Sequence, residues 1–398
     1  MKVDFGHPFL GGTILPRSGP RRIASGKASV SRMFAKAGVK INGRRPWDIQ
    51  VHNDKFYDRL LADGSLGVGE SYVDGWWDSD RLDDMAFRVF RAKVDRDMPS
   101  WAMVFDTLRA KIFNLQVKSR AFFNAGRHYD IGDDLYAAML DRRMVYSCGL
   151  WTRAQTLDEA QEHKLELCCK KLDLRPGMKV LDIGSGWGAF AKYAAEKHRV
   201  RVTGITVSKN QLEYAKKHTQ GHGIEFRLQD YRDLKKERFD RVVSIGMFEH
   251  VGYKNYRHYM EIVAERCLAD DGLFLLHTIG GNVTTNHIDP WIDRYIFPNS
   301  MLPSISQVGE AIEGHFVMED WHNLGTDYDK TLMAWFAQFH RHWADLREKY
   351  SKKFYRMWKF YLLSCAGAFR ARDMQVWQIL LSKRGKLGDS LRHVGRPS

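Results

Sequence analysis

The chain has 398 residues, 44% hydrophobic and 13% aromatic, which supplies a sizeable core and excludes global disorder. Its 62 Lys and Arg against 48 Asp and Glu leave a formal charge of +14. That charge fits a polyanionic partner, nucleic acid or an anionic membrane surface, and equally a basic face that is merely solvated.

No run approaches the roughly 18 apolar residues of a membrane span, and Met1-Lys2-Val3-Asp4-Phe5 opens without the apolar region of a signal peptide. The cysteines at 148, 168, 169, 267 and 365 form no CxxC pair and no zinc spacing, so reduced thiols in a cytoplasmic protein without a metal site are expected.

Residues 1–25, rich in Gly, Pro, Ser and Arg, read as a mobile basic arm. Residues 26–100 read as a small N-terminal domain. Within it, Asp54 to Leu61 carries apolar residues at helical spacing, and Gly64-Ser65-Leu66-Gly67-Val68-Gly69 punctuates the chain before Trp76-Trp77. The tryptophan pair suits an ordinary core and also a lipid interface, where indole rings are favoured. Residues 101–126, helical and basic, read as a linker, which leaves 127–398 for a larger catalytic domain.

That larger domain begins with an amphipathic helix over 155–172, stopped by Arg175-Pro176-Gly177. Strand-like and helix-like segments then alternate: Val180 to Ile183, a helix from Ala189 to His198, a strand from Val200 to Ile205, and a helix from Gln211 to His218. Further strands follow at Ile224 to Leu228, Arg241 to Ile245 and Leu273 to Ile279. This alternation predicts an α/β fold, a doubly wound parallel sheet covered on both faces.

Asp182-Ile183-Gly184-Ser185-Gly186-Trp187-Gly188 leaves the first of these strands and opens the first helix, the place where a Gly-rich turn lets backbone approach a ligand. A dinucleotide site wants a further small-residue position filled by Gly and an acid about 20 residues on. Here Ala189 stands at the first, and the second strand ends Thr206-Val207-Ser208-Lys209-Asn210-Gln211 without an acid. S-adenosylmethionine fits better, with Asp182 before the turn, Thr206 and Gln211 for ribose hydroxyls, and Asp230-Tyr231 to hold adenine. Each of these polar residues alone reads equally well as a loop cap.

Several segments together resemble one family, the bacterial cyclopropane fatty acid synthases, with the related mycolic acid cyclopropane synthases. They are Tyr146-Ser147-Cys148, Val180 to Gly188, Thr206 to Gln211, Gly246 to Gly252 and Leu275 to Gly280. Asp289-Pro290-Trp291-Ile292, Tyr295 to Pro298, Asp327 to Trp335 and Cys365 to Arg370 complete the set. The resemblance runs from about residue 31 to 382, while residues 1–25 and the tail after Lys383 have no counterpart.

The resemblance implies a class I S-adenosylmethionine-dependent methyltransferase with a Rossmann-like sheet and a smaller N-terminal lipid-binding domain. It implies methylene transfer to cis double bonds of phospholipid acyl chains, through a carbocation that bound bicarbonate deprotonates. It also implies a peripheral position at the inner membrane surface, and a homodimer. Cofactor contacts then fall on Tyr146, Ser147, Asp182, Gly184, Ser185, Gly186, Trp187, Gly188, Thr206, Gln211, Asp230 and Tyr231. Bicarbonate contacts fall on Cys148, Glu249, His277, Ile279 and Tyr328. Cys365 matches a cysteine proposed as catalytic, although a buried structural thiol reads at least as well there.

A nucleic-acid methyltransferase, which the charge alone would allow, lacks support: no Asn-Pro-Pro-Tyr-like tetrad and no Pro-Cys pair occurs, and Met247-Phe248-Glu249-His250 follows the fourth strand instead.

Overall fold

A computed structural model describes residues 20–94, 131–219 and 223–386, with side chains from Gly26 onward. The linker expected at 101–126 and the basic arm up to residue 19 lie outside the described residues. From Pro20 the chain is already helical, to Lys36, so a structureless arm does not extend to residue 25.

The chain forms two compact units. One comprises Ala110–Ile288, Phe297–Thr331 and Met374–Ser398, and the other comprises Met1–Arg109, Asp289–Ile296 and Leu332–Asp373. The expected continuous catalytic domain over 127–398 therefore does not coincide with one compact unit, because 289–296 and 332–373 pack with the N-terminal segment.

The first unit is built on a seven-stranded sheet. Its strands are β1 (Lys179–Ile183), β2 (Arg201–Thr206), β3 (Ile224–Leu228), β4 (Phe239–Ile245), β5 (Leu268–Gly281), β6 (Val317–Asn323) and β7 (Met374–Ser382). Their spatial order is β3-β2-β1-β4-β5-β7-β6. The first five are mutually parallel, as the alternation predicts. β7 runs antiparallel between β5 and β6, so the sheet is mostly rather than wholly parallel.

Strand periodicity feeds two cores. Leu181 and Ile183 join Val242, Phe274, Leu276, Tyr259 and Val308 on one face. Val180, Val202, Val243, Leu273 and Leu275 meet Leu165, Cys168, Phe190 and Ala194 on the other. Residue alternation places Asp182 and His277 on this second face, the one covered by the helix Leu157–Lys171. A reciprocal capping box of Thr156 and Glu159 starts that helix.

The second unit packs the helix Lys352–Arg370 against the helices Ser65–Val73 and Leu82–Arg91. Gly367 makes the crossing possible, since a Cβ there would lie 2.6 Å from the Asp83 carbonyl oxygen. The buried Asp83 carboxylate accepts from Arg81 Nε and Nη2, each at 3.0 Å, and from Arg370 Nη1 at 2.8 Å. Trp77 is fully buried against Tyr72 and Phe360, with ring centroids 5.0 and 6.3 Å away, and is therefore core.

The Gly64–Gly69 run is not a loop. A helix, Ser65–Val73, passes through it, and Gly67 and Gly69 serve close packing: a Cβ on Gly69 would collide with the Trp291 indole.

Candidate active site

A cavity of about 200 Å³ opens at the carboxyl ends of β1, β2 and β4, where the sheet order reverses from one side of β1 to the other. Beyond β1 the backbone turns through Gly184, Gly186 and Gly188, at φ of 87°, 54° and 87°. Left-handed backbone costs any other residue about 1–2 kcal/mol, which is why glycine recurs at this spacing. Gly184 N and Ser185 N both donate to Ile205 O, at 3.0 and 2.9 Å, and lash the turn to β2.

The three glycines differ in what a side chain would meet. A Cβ on Gly184 would press on Met247 at 2.8 Å, and one on Gly188 on the Phe226 ring at 2.9 Å. One on Gly186 would meet nothing within 4 Å, so this position leaves the cavity its room. Gly188 is absent from the cavity wall and acts in packing, whereas Gly184, Ser185, Gly186 and Trp187 line it.

Of the other expected cofactor contacts, Tyr146, Ser147, Asp182, Thr206, Gln211, Asp230 and Tyr231 all line the same cavity. Trp187 Nε1 donates to Asp133 Oδ1 at 3.2 Å, and its ring packs 4.8 Å from Tyr136, itself 5.2 Å from Tyr146. Thr206 Oγ1 donates to Gln211 Oε1 at 3.1 Å, and Ser208 caps the helix that carries Gln211. Asp230 is already engaged: Arg232 donates to it from its backbone N at 2.9 Å, from Nε at 2.8 Å and from Nη2 at 2.7 Å. It therefore faces the cavity as a carboxylate paired with Arg232, beside the buried Tyr231 ring.

Two buried charges of opposite sign share the wall. Asp182 is 2% exposed, its Oδ2 has no partner among the described residues, and burial pushes its carboxyl up to about 7 against the pull of Lys164. Lys164 is 1% exposed and donates to Ser147 Oγ at 3.0 Å, while Gln161 Nε2 donates to Ser147 O at 2.8 Å. Burial lowers the Lys164 ammonium pKa, opposed by Cys168, Asp141, Cys148 and Asp182. The sequence reading missed Lys164, His250 and the wall segment Phe297-Pro298-Asn299. Burial holds the His250 imidazole at about 4. These polar and orphaned groups, with the open space over Gly186, fit an S-adenosylmethionine-sized polar cofactor.

Of the expected bicarbonate residues, His277 and Ile279 lie on β5, and Glu249 bonds to the second of them. Glu249, in the short turn Phe248–His250 after β4, is buried and accepts from Ile279 N at 2.7 Å through Oε1, and its Oε2 has no partner among the described residues. Burial raises its carboxyl to about 7, opposed by hydrogen bonds from the Ile279 and Glu249 backbones and from Thr278. Ile279 pairs with Val376 on β7, whose carbonyl accepts from Leu324 N at 2.7 Å. Cys148 Sγ lies 3.2 Å from Gly149 O and 3.8 Å from Leu324 O, and burial raises its thiol pKa strongly, so it stays a neutral donor. Tyr328 is buried near the start of the helix Gly325–Arg341.

His277 sits apart in character. Its Nδ1 lies 3.3 Å from Gln378 Nε2, and burial, with Lys164 and Lys171, drives its pKa down, so it is a neutral imidazole rather than a switchable group. Cys365 belongs to the other compact unit, on the helix Lys352–Arg370. Burial pushes its thiol up to about 12, which suits a structural cysteine better than a nucleophile.

Residues 116–379 match the family described as mycolic acid cyclopropane synthetase. The chain is 51% identical to the cyclopropane-fatty-acyl-phospholipid synthase of Escherichia coli K12, over 89% of this chain and 92% of that one. Among solved structures it is similar to a cyclopropane synthase of Mycobacterium tuberculosis, 32% identical with a TM-score of 0.62, over 68% of this chain and all of that one. It is similar also to a mycolic acid cyclopropane synthase complexed with SAH and CTAB, 34% identical with a TM-score of 0.61, over 66% and 98%. On this match over most of its length, and on the sheet order and glycine turn described above, the chain belongs to the mycolic acid cyclopropane synthetase family and has the class I S-adenosylmethionine-dependent methyltransferase fold.

Proposed function

We propose that this enzyme transfers a methylene group from S-adenosylmethionine to cis double bonds of phospholipid acyl chains, forming cyclopropane rings, with a bound bicarbonate as the base. The observation that carries the reading is Glu249: a buried carboxyl just beyond the cavity-lining Gly246 and Met247, fixed through one oxygen and without a partner on the other among the described residues. The name of the 51% identical relative supports the substrate class.

S-adenosylmethionine, when bound, supplies an electrophilic methyl group, and the cavity residues named above would hold it. An alkene is a weak nucleophile, so the chain must supply position, an effect worth up to roughly 7–11 kcal/mol in favourable systems. Bicarbonate, when bound, supplies a small base. Glu249 Oε2 would accept its hydroxyl proton, since a bare carboxylate beside an anion repels it and a hydrogen bond does not. The neutral Cys148 thiol and the Tyr328 hydroxyl, both donors, suit its oxygens.

The test is incubation with unsaturated phospholipid vesicles and labelled S-adenosylmethionine, followed by mass spectrometry and hydrogenation of the acyl chains. A gain of one CH2 with loss of the double bond is expected. A methyl-branched product that keeps its double bond, or no product, would overturn the reading.

A further inference from the structure

We propose that Lys164 is a positioning residue for the amino-acid end of the cofactor, acting by turning Ser147 into a one-way hydrogen-bond donor. The proposal rests on the reading of the cavity as an S-adenosylmethionine site. A serine hydroxyl has one proton and two lone pairs, and its proton rotates to whichever acceptor is at hand. Lys164 Nζ, 3.0 Å from Ser147 Oγ, can only donate, so it occupies a lone pair and leaves the hydroxyl proton to point elsewhere. That proton has no acceptor among the described residues, although Ser147 is only 8% exposed. Both side chains line the cavity, so the direction left to the proton is toward a ligand.

The backbone of Ser147 is fixed as well, since Gln161, one helical turn before Lys164, donates to its carbonyl at 2.8 Å. Behind the hydroxyl stands a buried positive charge, and on the same wall Asp182 Oδ2 lacks a partner among the described residues. A donor backed by an ammonium selects a carboxylate, and an unsatisfied carboxylate oxygen selects an ammonium. An α-amino acid carries both groups on one carbon. Lys164 thus sets the end of the cavity that takes the amino acid, and it does so through Ser147 rather than by reacting.

Two probes separate this role from a structural one: S-adenosylhomocysteine, and 5′-methylthioadenosine, which keeps the nucleoside and sulfur but lacks the amino-acid end. Calorimetry on full-length protein should find both bound by the wild type. Lys164→Met, close in length and uncharged, should weaken S-adenosylhomocysteine roughly ten- to hundredfold, the scale of one charge-assisted hydrogen bond. It should change methylthioadenosine less than about twofold, which also shows that the variant is folded. Ser147→Ala should show the same selectivity. The double variant should lose no more than the worse single one, because both substitutions break one relay. Equal losses for the two probes, no loss for either, or additive losses in the double variant would overturn the proposal while leaving the cavity reading intact. A wild type that binds neither probe would sink the cavity reading and the proposal with it.

Discussion

In the proposed reaction, Glu249 is the side chain through which pH would act on the chemistry. Its carboxyl, raised by burial to about 7 from an ordinary value of 4.5, holds its proton in the folded chain where the unfolded chain has lost it. The folded state therefore binds more protons between those values, and the group's contribution to stability falls as pH rises from about 4.5 to about 7. Glu249→Gln can keep the Ile279 hydrogen bond and has no charge to desolvate. The variant should gain in melting temperature relative to wild type between pH 5 and 7.5, although Asp182, also raised to about 7, keeps part of the slope. Activity should move the other way. The same variant should lose roughly 10²–10³ in turnover, typical for one preorganised polar contact, with cofactor affinity nearly unchanged. The wild-type rate should rise through pH 7 as Glu249 ionises. A variant that turns over like wild type, or one with the same pH–stability profile, would count against this role.

At the scale of elements, the strand–turn–helix around Gly184 to Gly188 was the most legible feature, because glycines at positive φ declare themselves in sequence. The three glycines nonetheless do different work, and that follows from neighbours distant in sequence, Met247 and Phe226. Gly186→Val should abolish binding of S-adenosylhomocysteine while costing only about 1–2 kcal/mol of stability for the left-handed backbone. Gly184→Val should lower stability more, because its side chain has Met247 to displace. Equal melting temperatures for the two, or retained binding in Gly186→Val, would contradict this assignment.

The helix Leu157–Lys171 was predicted within two residues of each end, but its meaning was not. Lys164 and Gln161 sit on the stripe that includes Leu157, Cys168 and Lys171, at alternating steps of three and four. Polar residues at buried-stripe positions were the signal available, and amphipathic reading discounts them as surface. The helix through Gly64–Gly69 was missed for a related reason: Gly69 answers to Trp291, more than 200 residues away, and Gly67 to the Arg59 carbonyl of the preceding helix, so both glycines serve packing that their own run does not report.

For the whole molecule, interleaving changes how the membrane reading is tested. The N-terminal segment is not a removable module: its helix Leu82–Arg91 packs on Lys352–Arg370, and Asp83 is held by Arg370. Deleting residues 1–95 should therefore leave an apolar helix face bare and a chain that aggregates or melts far below the full protein; a deletion variant with wild-type melting behaviour would refute this. Recruitment is better measured on the full chain. With a charge of +14, and with no helix among the described residues long and apolar enough to cross a membrane, binding to anionic vesicles should exceed binding to neutral ones and weaken as salt rises. Equal binding to both at low salt would remove charge as the recruiting force.

The antiparallel strand β7 has a consequence for biogenesis. It lies between β5 and β6, yet it is made after both, with the whole stretch from Leu324 to Asp373 synthesised in between. On the ribosome, β5 and β6 must wait with facing backbone edges unpaired until Met374 to Ser382 emerge. Each such edge is a template for pairing with another chain. The parallel half of the sheet can close early, but the register that sets Ile279 against Val376, and with it the support beneath Glu249, arrives only when the final strand slots in. Completion of the sheet and of the support beneath Glu249 are thus one late event, and a nascent chain that stalls before residue 374 presents two sticky edges.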